Sequence, residues 1–315
     1  MRPRIAITLG DPRGIGPEVV AKTLADPPAE ADFVLIGLPE QIEGIPAAER
    51  IPVMGNREPG SGEPSPREST PLVPLFPFPA GEAGRIVGRS LERAVELAMS
   101  GKIHAIVTGP AEKKALHQAG YHYPGHTEWL AELAGGVDAA MMLTTGSLRV
   151  VLITTHLPAR EVPQAVTVAR VLRVGHITMR ALSHWWGIDD PRLAICAMNP
   201  HAGEGGLFGE EDRAVLEPAA RELDAAGPLP ADTVFVRAMK GEFDAVLTPF
   251  HDVGMTAVKV AGFGTGVNVT LGLPFVRTAP DHGTAFDIAG RGVADPGSMR
   301  EAVRLAVELA ARVGV

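Results

Sequence analysis

The sequence is poor in cysteine and has no long apolar run. Its one cysteine, Cys196, excludes an internal disulfide, and the absence of a CxxC pair argues against structural zinc bound by thiolates. Cys196 lies inside the apolar run LAICAM, which favours a small, buried side chain. No segment approaches the roughly 20 uninterrupted apolar residues of a transmembrane helix. The N-terminal apolar segment is too short for a signal peptide, so we expect a cytoplasmic protein.

Clusters of positive charge are also missing. The formal net charge is −8, and no run of lysine and arginine is interleaved with aromatic residues. Neither nucleic acid nor a membrane is therefore an expected partner. The chain has 315 residues, of which 45% are hydrophobic. This length is sufficient for two domains, or for one large α/β unit with a well-filled core.

Short apolar runs alternate with amphipathic segments, which is typical of α/β proteins. The predicted strands are IAITLG, DFVLIGL, AIVTGP, RLAICAM, AVLTPF and two strands within AAMMLTTGSLRVVLITTH that turn at Thr145-Gly146-Ser147. The predicted helices cover residues 16–26, 80–102, 111–119, 162–187, 210–227 and 298–312. Residues 39–80 are rich in proline and glycine, and we expect a loop there with one short strand.

Four histidines follow apolar runs, in segments that the sequence predicts to be loops: His126, His156, His201 and His251. The last three each lie just past a predicted strand. If the ends of those strands meet, three imidazoles with open positions would suit zinc or a similar transition metal. No short local metal motif such as HExxH is present. The alternative, that each histidine satisfies a local backbone group, therefore stays open.

The stretch DAVLTPFHDVGMTAVKV places His251 and Asp252 at the end of an apolar run, with Lys259 one short segment later. In open α/β sheets the ligand crevice lies at the carboxyl ends of the strands, which would bring these polar side chains to a site. A loop-capping histidine and a solvated lysine are the alternative interpretation.

Three glycine-containing segments are candidates for anion binding. LGDPRGIGPE and VTGPAEKKAL each join a predicted strand to a predicted helix, so that backbone N–H groups could approach a phosphate. Neither is a GxGxxG or a Walker A sequence. The third segment, residues 262–290, contains Arg277, whose guanidinium suits a carboxylate or a phosphate. A surface salt bridge is the alternative for Arg277.

Several motifs in order along the whole chain resemble the family of 4-hydroxythreonine-4-phosphate dehydrogenases: GDPRGIGPE, TGPAEKKAL, GHTEWLAELAG, TTHLPAR, NPHAGEGGLFGEED, HDVGMTAVK, GVNVTLGLPFVRT and DHGTAFDIAGRG. The resemblance implies a two-domain, isocitrate-dehydrogenase-like α/β/α architecture with the active site in the interdomain cleft. We expect one domain at approximately residues 1–130 plus 285–315. The second would cover approximately 131–284 and carry the dimer contacts.

The resemblance also implies roles for particular residues. His156, His201 and His251 would be the metal ligands, one of them contributed by the partner subunit of a homodimer with a shared active site. The residues expected to contact the substrate and its phosphate are His126, Thr127, Lys259, Asn268 and Arg277. Lys259 and Asp252 are the candidates for proton handling. The dinucleotide is expected at the glycine-rich stretch after Lys259, at Gly264 and Gly266.

The family reaction that the resemblance implies is oxidation of 4-phosphooxy-L-threonine at C3, linked to NAD or NADP. Decarboxylation to 3-amino-2-oxopropyl phosphate follows, in pyridoxal 5'-phosphate biosynthesis. One divalent metal per site would be needed, with zinc, cobalt, magnesium and manganese as candidates. Two rivals from other classes are a metal-dependent phosphoester hydrolase, which needs no dinucleotide, and a non-catalytic anion-binding protein.

The chain departs from the usual family pattern at three motifs. Arg13 replaces the alanine of GDPAGIGPE, TGPAEK stands in place of TGPINK, and HDVGM replaces HDQGL through Val253 and Met255. The last departure adjoins a proposed metal ligand, His251, and it bears on which substrate the protein uses. The alternative function is therefore that of a paralogous 4-phospho-D-threonate or 4-phospho-D-erythronate dehydrogenase of sugar-acid catabolism.

Overall fold

The chain forms two compact units in the computed structural model, which describes residues 2–55 and 78–314. The first unit comprises Met1–Val137 and Leu273–Val315, and the second comprises Asp138–Gly272. The sequence placed the domain limits near residues 130 and 284. Both units alternate strands with helices, so the α/β class predicted from the sequence is confirmed.

The elements of the first unit up to its exit are β1 (Arg4–Thr8), α1 (Gly16–Ala25), β2 (Asp32–Gly37), α2 (Pro39–Ile42), β3 (Glu49–Pro52), α3 (Ala80–Met99), β4 (Ala105–Thr108), α4 (Lys113–Gln118) and α5 (His126–Leu133). Those of the second unit are β5 (Ala140–Thr145), β6 (Leu148–Leu152), α6 (Val162–Ala165), α7 (Val168–Trp186), β7 (Leu193–Cys196), α8 (Glu217–Glu222), β8 (Ala226–Leu229), α9 (Ala231–Met239), β9 (Ala245–Thr248), α10 (His251–Ala261) and β10 (Val267–Leu271). The chain then returns to the first unit for β11 (Val276–Pro280) and α11 (Gly297–Arg312).

The first unit is built on a parallel sheet with the strand order β3-β2-β1-β4-β11. Its central strands are mostly apolar and buried, as in Ile5–Ile7 and Ala105–Val107, because helices cover parallel sheets on both faces. The carboxyl ends of β1, β4 and β11 meet at one edge of this sheet. The loops that follow these three strands therefore lie close together.

The second unit has a mixed sheet with the strand order β10-β5-β6-β9-β7-β8. β5 and β6 form the predicted antiparallel hairpin, which turns at Gly146 with a left-handed φ of 53°. β6, β9 and β7 are adjacent and parallel. Because their carboxyl ends meet at one edge, the segments after them, which carry His156, His251 and His201, start from neighbouring positions.

A glycine allows α10 to approach the sheet of the second unit closely. A Cβ added to Gly254 would lie 2.7 Å from Thr248 Cγ2 and 2.9 Å from side-chain atoms of Leu152 and Val150. Such distances are shorter than real Cβ contacts, so only glycine permits this packing. The close approach fixes the first turn of α10, where His251 lies, against the ends of β6 and β9.

The structure corrects several predicted elements. The predicted helix 162–187 is interrupted after α6, because Thr167 is extended and its side chain caps α7 by accepting a hydrogen bond from Arg170 N. The predicted helix 210–227 begins as a π-helical turn, Asp212–Leu216, and Pro218 near the start of α8 removes a backbone donor there. β8, β10 and β11 were not predicted. Within residues 39–80 the structure shows α2 and β3, and the part from 56 to 77 lies outside the described residues.

The prediction of a buried Cys196 is confirmed. Cys196 is fully buried, and burial raises the pKa of its thiol to about 12. Trp185 and Trp186, which end α7, are both buried and contribute to packing. Among the helices that the structure describes, none is long and apolar enough to cross a membrane.

Candidate functional site

Two of the three candidate metal ligands lie side by side in the second unit. The ring centroids of His156 and His251 are 5.3 Å apart, with 44° between the ring planes. His251 is the first residue of α10, and His156 has a left-handed backbone with φ of 44°. A left-handed φ costs about 1–3 kcal/mol in a residue other than glycine and is concentrated at functional sites.

Asp252 contacts the ring of His251. Its Oδ1 lies 2.7 Å from His251 Nδ1. The carboxylate favours the tautomer in which Nδ1 carries the proton and donates it, which leaves the Nε2 lone pair for a ligand. The Asp252 side chain is 97% exposed, so this contact adds little to stability. Its effect is to orient the imidazole.

His201 is not part of this pair. It lies in the short 3₁₀ segment Pro200–Gly206, where its ring packs at a centroid distance of 6.4 Å from Phe208. Within residues 2–55 and 78–314 of the single chain, no group of three or more histidine, cysteine, aspartate or glutamate side chains is arranged to hold a metal ion. The structure therefore brings together His156 and His251, and places His201 elsewhere.

A buried carboxylate that the sequence did not single out fixes the segment before His201. Asp212 is 1% exposed and accepts hydrogen bonds from the backbone N–H groups of Met198, at 2.7 Å, and Asn199, at 3.0 Å. The Asn199 side-chain amide also donates to it, at 2.9 Å. The only hint in the sequence was an acidic run, GEED, soon after the NPH motif.

The first unit holds a separate group of polar residues around Arg277. This side chain, on β11, is 3% exposed, and its Nη2 donates to Thr108 Oγ1 at 2.5 Å. Burial lowers its pKa to about 10. His126, the first residue of α5, has its pKa lowered to about 3 by burial and by the positive charges of Arg277 and Lys113. A neutral imidazole that is influenced by two positive charges suits an anionic ligand.

The loop positions predicted for His126 and His251 are wrong. His126 and His251 are the first residues of α5 and α10, and do not lie in loops. The N-cap residues before them, Gly125 and Phe250, are extended and make no side-chain cap hydrogen bond, so neither supplies the Ser, Thr, Asp or Asn that signals a helix start in a sequence. Thr127 follows His126 in α5 and is half-buried.

The other predicted binding residues of the second unit lie on α10 and β10. Lys259, in the last turn of α10, is half-buried and makes no hydrogen bond or ion pair with a described residue. Asn268 Oδ1, on β10, is buried and lacks a hydrogen-bond partner among the described residues. A buried unsatisfied acceptor costs about 1–3 kcal/mol, which a ligand donor would recover. Gly264, with φ of 81°, and Gly266 lie in the connection between α10 and β10.

The departures from the family pattern have two different structural settings. Val253 and Met255 are partly buried and pack against the apolar core of the second unit, which includes Leu152 and Val258. Arg13 instead joins a polar cluster with Asp11 and Glu112 in the first unit.

The comparisons with known proteins agree with the motifs. Residues 63–306 match the family model described as "Pyridoxal phosphate biosynthetic protein PdxA". The chain is 43% identical to the 4-hydroxythreonine-4-phosphate dehydrogenase of Geobacter metallireducens, over 98% of this chain and 96% of that one. It is 39% identical to the D-threonate 4-phosphate dehydrogenase of Pectobacterium atrosepticum, over 97% of this chain and 99% of that one.

A solved structure gives the same result for the fold. The crystal structure of 4-hydroxythreonine-4-phosphate dehydrogenase from Klebsiella pneumoniae superimposes with a TM-score of 0.83 at 36% identity, over 98% of this chain and 100% of that one. The isocitrate-dehydrogenase-like α/β architecture expected from the resemblance is confirmed. The chain belongs to the PdxA family of pyridoxal phosphate biosynthetic proteins.

Proposed function

We propose that the protein is a metal-dependent, NAD- or NADP-linked dehydrogenase that oxidises 4-phosphooxy-L-threonine at C3. The observation that carries this proposal is the His156–His251 pair, in which Asp252 contacts Nδ1 of His251. The two relatives compared above, which are named as dehydrogenases of phosphorylated hydroxy acids, support the choice of reaction. In the proposed reaction the C3 hydride passes to the nicotinamide and the hydroxyl proton to a base. The 3-oxo acid then loses CO2 to give 3-amino-2-oxopropyl phosphate, in pyridoxal 5'-phosphate biosynthesis.

Arg277 and His126 are the proposed contacts to the polar groups of the substrate. The buried guanidinium is a charged donor away from bulk water, where hydrogen bonds to an anion are strongest. His126 stays neutral at physiological pH because its pKa is about 3. It can therefore donate a proton to one hydrogen bond and accept in another without adding charge. Thr127, Asn268 and Lys259 complete the proposed contacts to the substrate.

The imidazoles of His156 and His251 fit a divalent metal, because both are nitrogen donors and Asp252 holds His251 in one tautomer. A bound metal would lower the pKa of the substrate hydroxyl, as metals do for bound water. Because Asp252 already contacts His251, Lys259 is the better candidate to accept the hydroxyl proton. Zinc, cobalt, manganese and magnesium are the candidate ions. The dinucleotide would bind near Gly264 and Gly266.

We further propose a homodimer in which His201 of a second copy completes the ligand set. A mixing experiment tests this: His201→Ala and His251→Ala variants, each inactive alone, are co-expressed with different tags, and the mixed dimer is isolated. One of its two sites would then combine intact ligands from both chains, so NADH formation should return. If all three ligands come from one chain, the mixed dimer stays inactive.

A second candidate substrate class is 4-phospho-D-threonate or 4-phospho-D-erythronate. It is favoured by the relative from Pectobacterium atrosepticum, whose 39% identity is close to the 43% of the relative from Geobacter metallireducens. All three substrates place a phosphate next to an oxidisable hydroxyl carbon. The residues proposed above are therefore suited to either reaction, and a measurement of turnover with each substrate distinguishes the two.

The deciding experiment measures reduced nicotinamide formed from NAD or NADP by metal-loaded protein. Each of the three phosphorylated substrates is compared with and without a chelator. We expect chelator-sensitive turnover with 4-phosphooxy-L-threonine. A preference for a phospho-sugar acid would keep the metal-dependent dehydrogenase and change the substrate. No reduction of either dinucleotide with any substrate would contradict the dehydrogenase, and release of inorganic phosphate instead would indicate a hydrolase.

A further inference from the structure

One side chain, Arg13, connects the three loops at the carboxyl ends of β1, β4 and β11. Its Nε and Nη2 donate to the two carboxylate oxygens of Asp11, in its own loop, at 2.9 and 2.8 Å. The same Nη2 donates to Glu112 Oε2, in the loop after β4, at 2.9 Å. The guanidinium also lies 5.1 Å from the ring centroid of Phe286, in the loop after β11. Arg13 thus fixes the relative positions of these loops.

The cluster is buried enough for these contacts to be strong. The side chains of Asp11 and Arg13 are 0% and 19% exposed, and Asp11 raises the pKa of the Arg13 guanidinium. The backbone supports the same arrangement, because Asp11 N donates to Pro110 O at 2.8 Å. Gly10 has φ of +78°, and a Cβ there would lie 2.3 Å from Pro110 O. The loops after β1 and β4 therefore pack backbone against backbone.

Glu112 is the residue immediately before Lys113. It is the N-cap of α4 and has an extended backbone, and Lys113 is the first residue of that helix. The ion pair to Arg13 restrains Glu112. Because Lys113 is the next residue, the same ion pair restrains the direction in which the Lys113 side chain extends from the start of the helix. Lys113 is exposed and makes no hydrogen bond or ion pair with a described residue. The loop that leads to Lys113 starts at Thr108, the last residue of β4, whose hydroxyl accepts a hydrogen bond from Arg277 Nη2 at 2.5 Å. The positive charge of Lys113 also helps to lower the pKa of His126.

We propose that Lys113 is a further contact to the anionic group of the substrate, and that the Arg13–Glu112 ion pair positions it beside His126 and Arg277. The proposal rests on the function proposed above for the identity of the substrate. The ligand chemistry is that of a phosphate monoester or a carboxylate. Glu112 and Arg13 are positioning residues, because they act on the ligand only through Lys113.

The test is a double-mutant cycle with Lys113→Ala, Glu112→Gln and the double variant. We expect Lys113→Ala to raise KM for the phosphorylated substrate about tenfold, because a charged hydrogen bond to the substrate is lost. Glu112→Gln alone should raise KM less, and kcat should change little in either variant. Adding Glu112→Gln to Lys113→Ala should have no further effect, since Glu112 acts through Lys113. Additive effects would overturn the positioning role.

Lys102→Ala is the matched control, because Lys102 is an exposed lysine at the opposite, amino end of β4. Isothermal titration with inorganic phosphate gives a second readout that needs no turnover. Weaker phosphate binding in Lys113→Ala than in Lys102→Ala supports Lys113 as a contact to the anion, even if no dinucleotide is reduced. Failure of the proposed dehydrogenase function can therefore be distinguished from failure of this proposal. Equal KM and equal phosphate affinity in Lys113→Ala and wild type would overturn the proposal, as would a wild-type protein that neither turns over nor binds phosphate.

Discussion

The two units differ in the electrostatics of their polar groups. In the first unit, the buried Arg277 of β11 donates to Thr108 at the end of β4, and His126, the first residue of α5, is kept neutral by burial and by neighbouring cations. In the second, the ends of β6 and β9 bring together two imidazoles, one of them held by Asp252. The first arrangement suits an anion, and the second suits a metal cation.

The strongest test of the difference is His251→Ala. Removing one imidazole of the His156–His251 pair should abolish stoichiometric zinc or manganese binding, measured by elemental analysis, together with chelator-sensitive turnover. His184→Ala, at an exposed histidine of α7, is the control and should behave like wild type. Normal metal content in His251→Ala would contradict the proposal that the histidines of the second unit bind the metal.

The next effect is expected from Arg277→Lys in the first unit. Lysine keeps the charge but loses the planar fork of donors, so we expect KM for the phosphorylated substrate to rise about 10- to 100-fold, which corresponds to about 1.5–3 kcal/mol. Metal content should stay unchanged, because the metal ligands proposed here belong to the second unit. Steady-state kinetics and elemental analysis on the same preparation check both statements. Loss of metal in this variant would break the proposed separation of roles.

Asp252→Asn should weaken the metal site without removing a ligand. The amide cannot attract the Nδ1 proton of His251 as a carboxylate does, and loss of such partners lowers metal affinity about 10- to 100-fold. Competition with a fluorescent chelator measures this affinity. Asp232→Asn, at an exposed aspartate of α9, is the matched control. If Asp252 were the catalytic base instead, kcat would fall at saturating metal while the affinity stayed unchanged.

The smallest expected effect concerns pH and His126. Its folded-state pKa of about 3 lies below the ordinary 6.5, so the unfolded chain binds the extra proton first as the pH falls. This group therefore lowers the free energy of unfolding progressively between these two pKa values. His126→Gln should lose less stability than wild type when the denaturation midpoint is compared at about pH 7 and about pH 4.5. Equal losses would show that His126 titrates normally in the folded protein.

Much of the fold could be predicted because the signals are local. The buried strands β1, β4 and β9 are short apolar runs, and α3 and α11 show the expected amphipathic spacing. Predictions failed where a single residue overrides the pattern, as Thr167 does at the start of α7 and Pro218 at the start of α8. β8, β10 and β11 were missed because glycine and proline around them resemble loops.

The sequence by itself determined the α/β class, the family and the list of candidate histidines, because each of these is carried by contiguous motifs. Only the tertiary structure decided that His156 pairs with His251 while His201 lies elsewhere, and that Arg13 reaches Glu112, 99 residues along the chain. It also revealed the buried Asp212 as the support of the segment before His201. These contacts depend on strand order and on where neighbouring strands end. Spacing along a single chain does not specify which strand ends become neighbours.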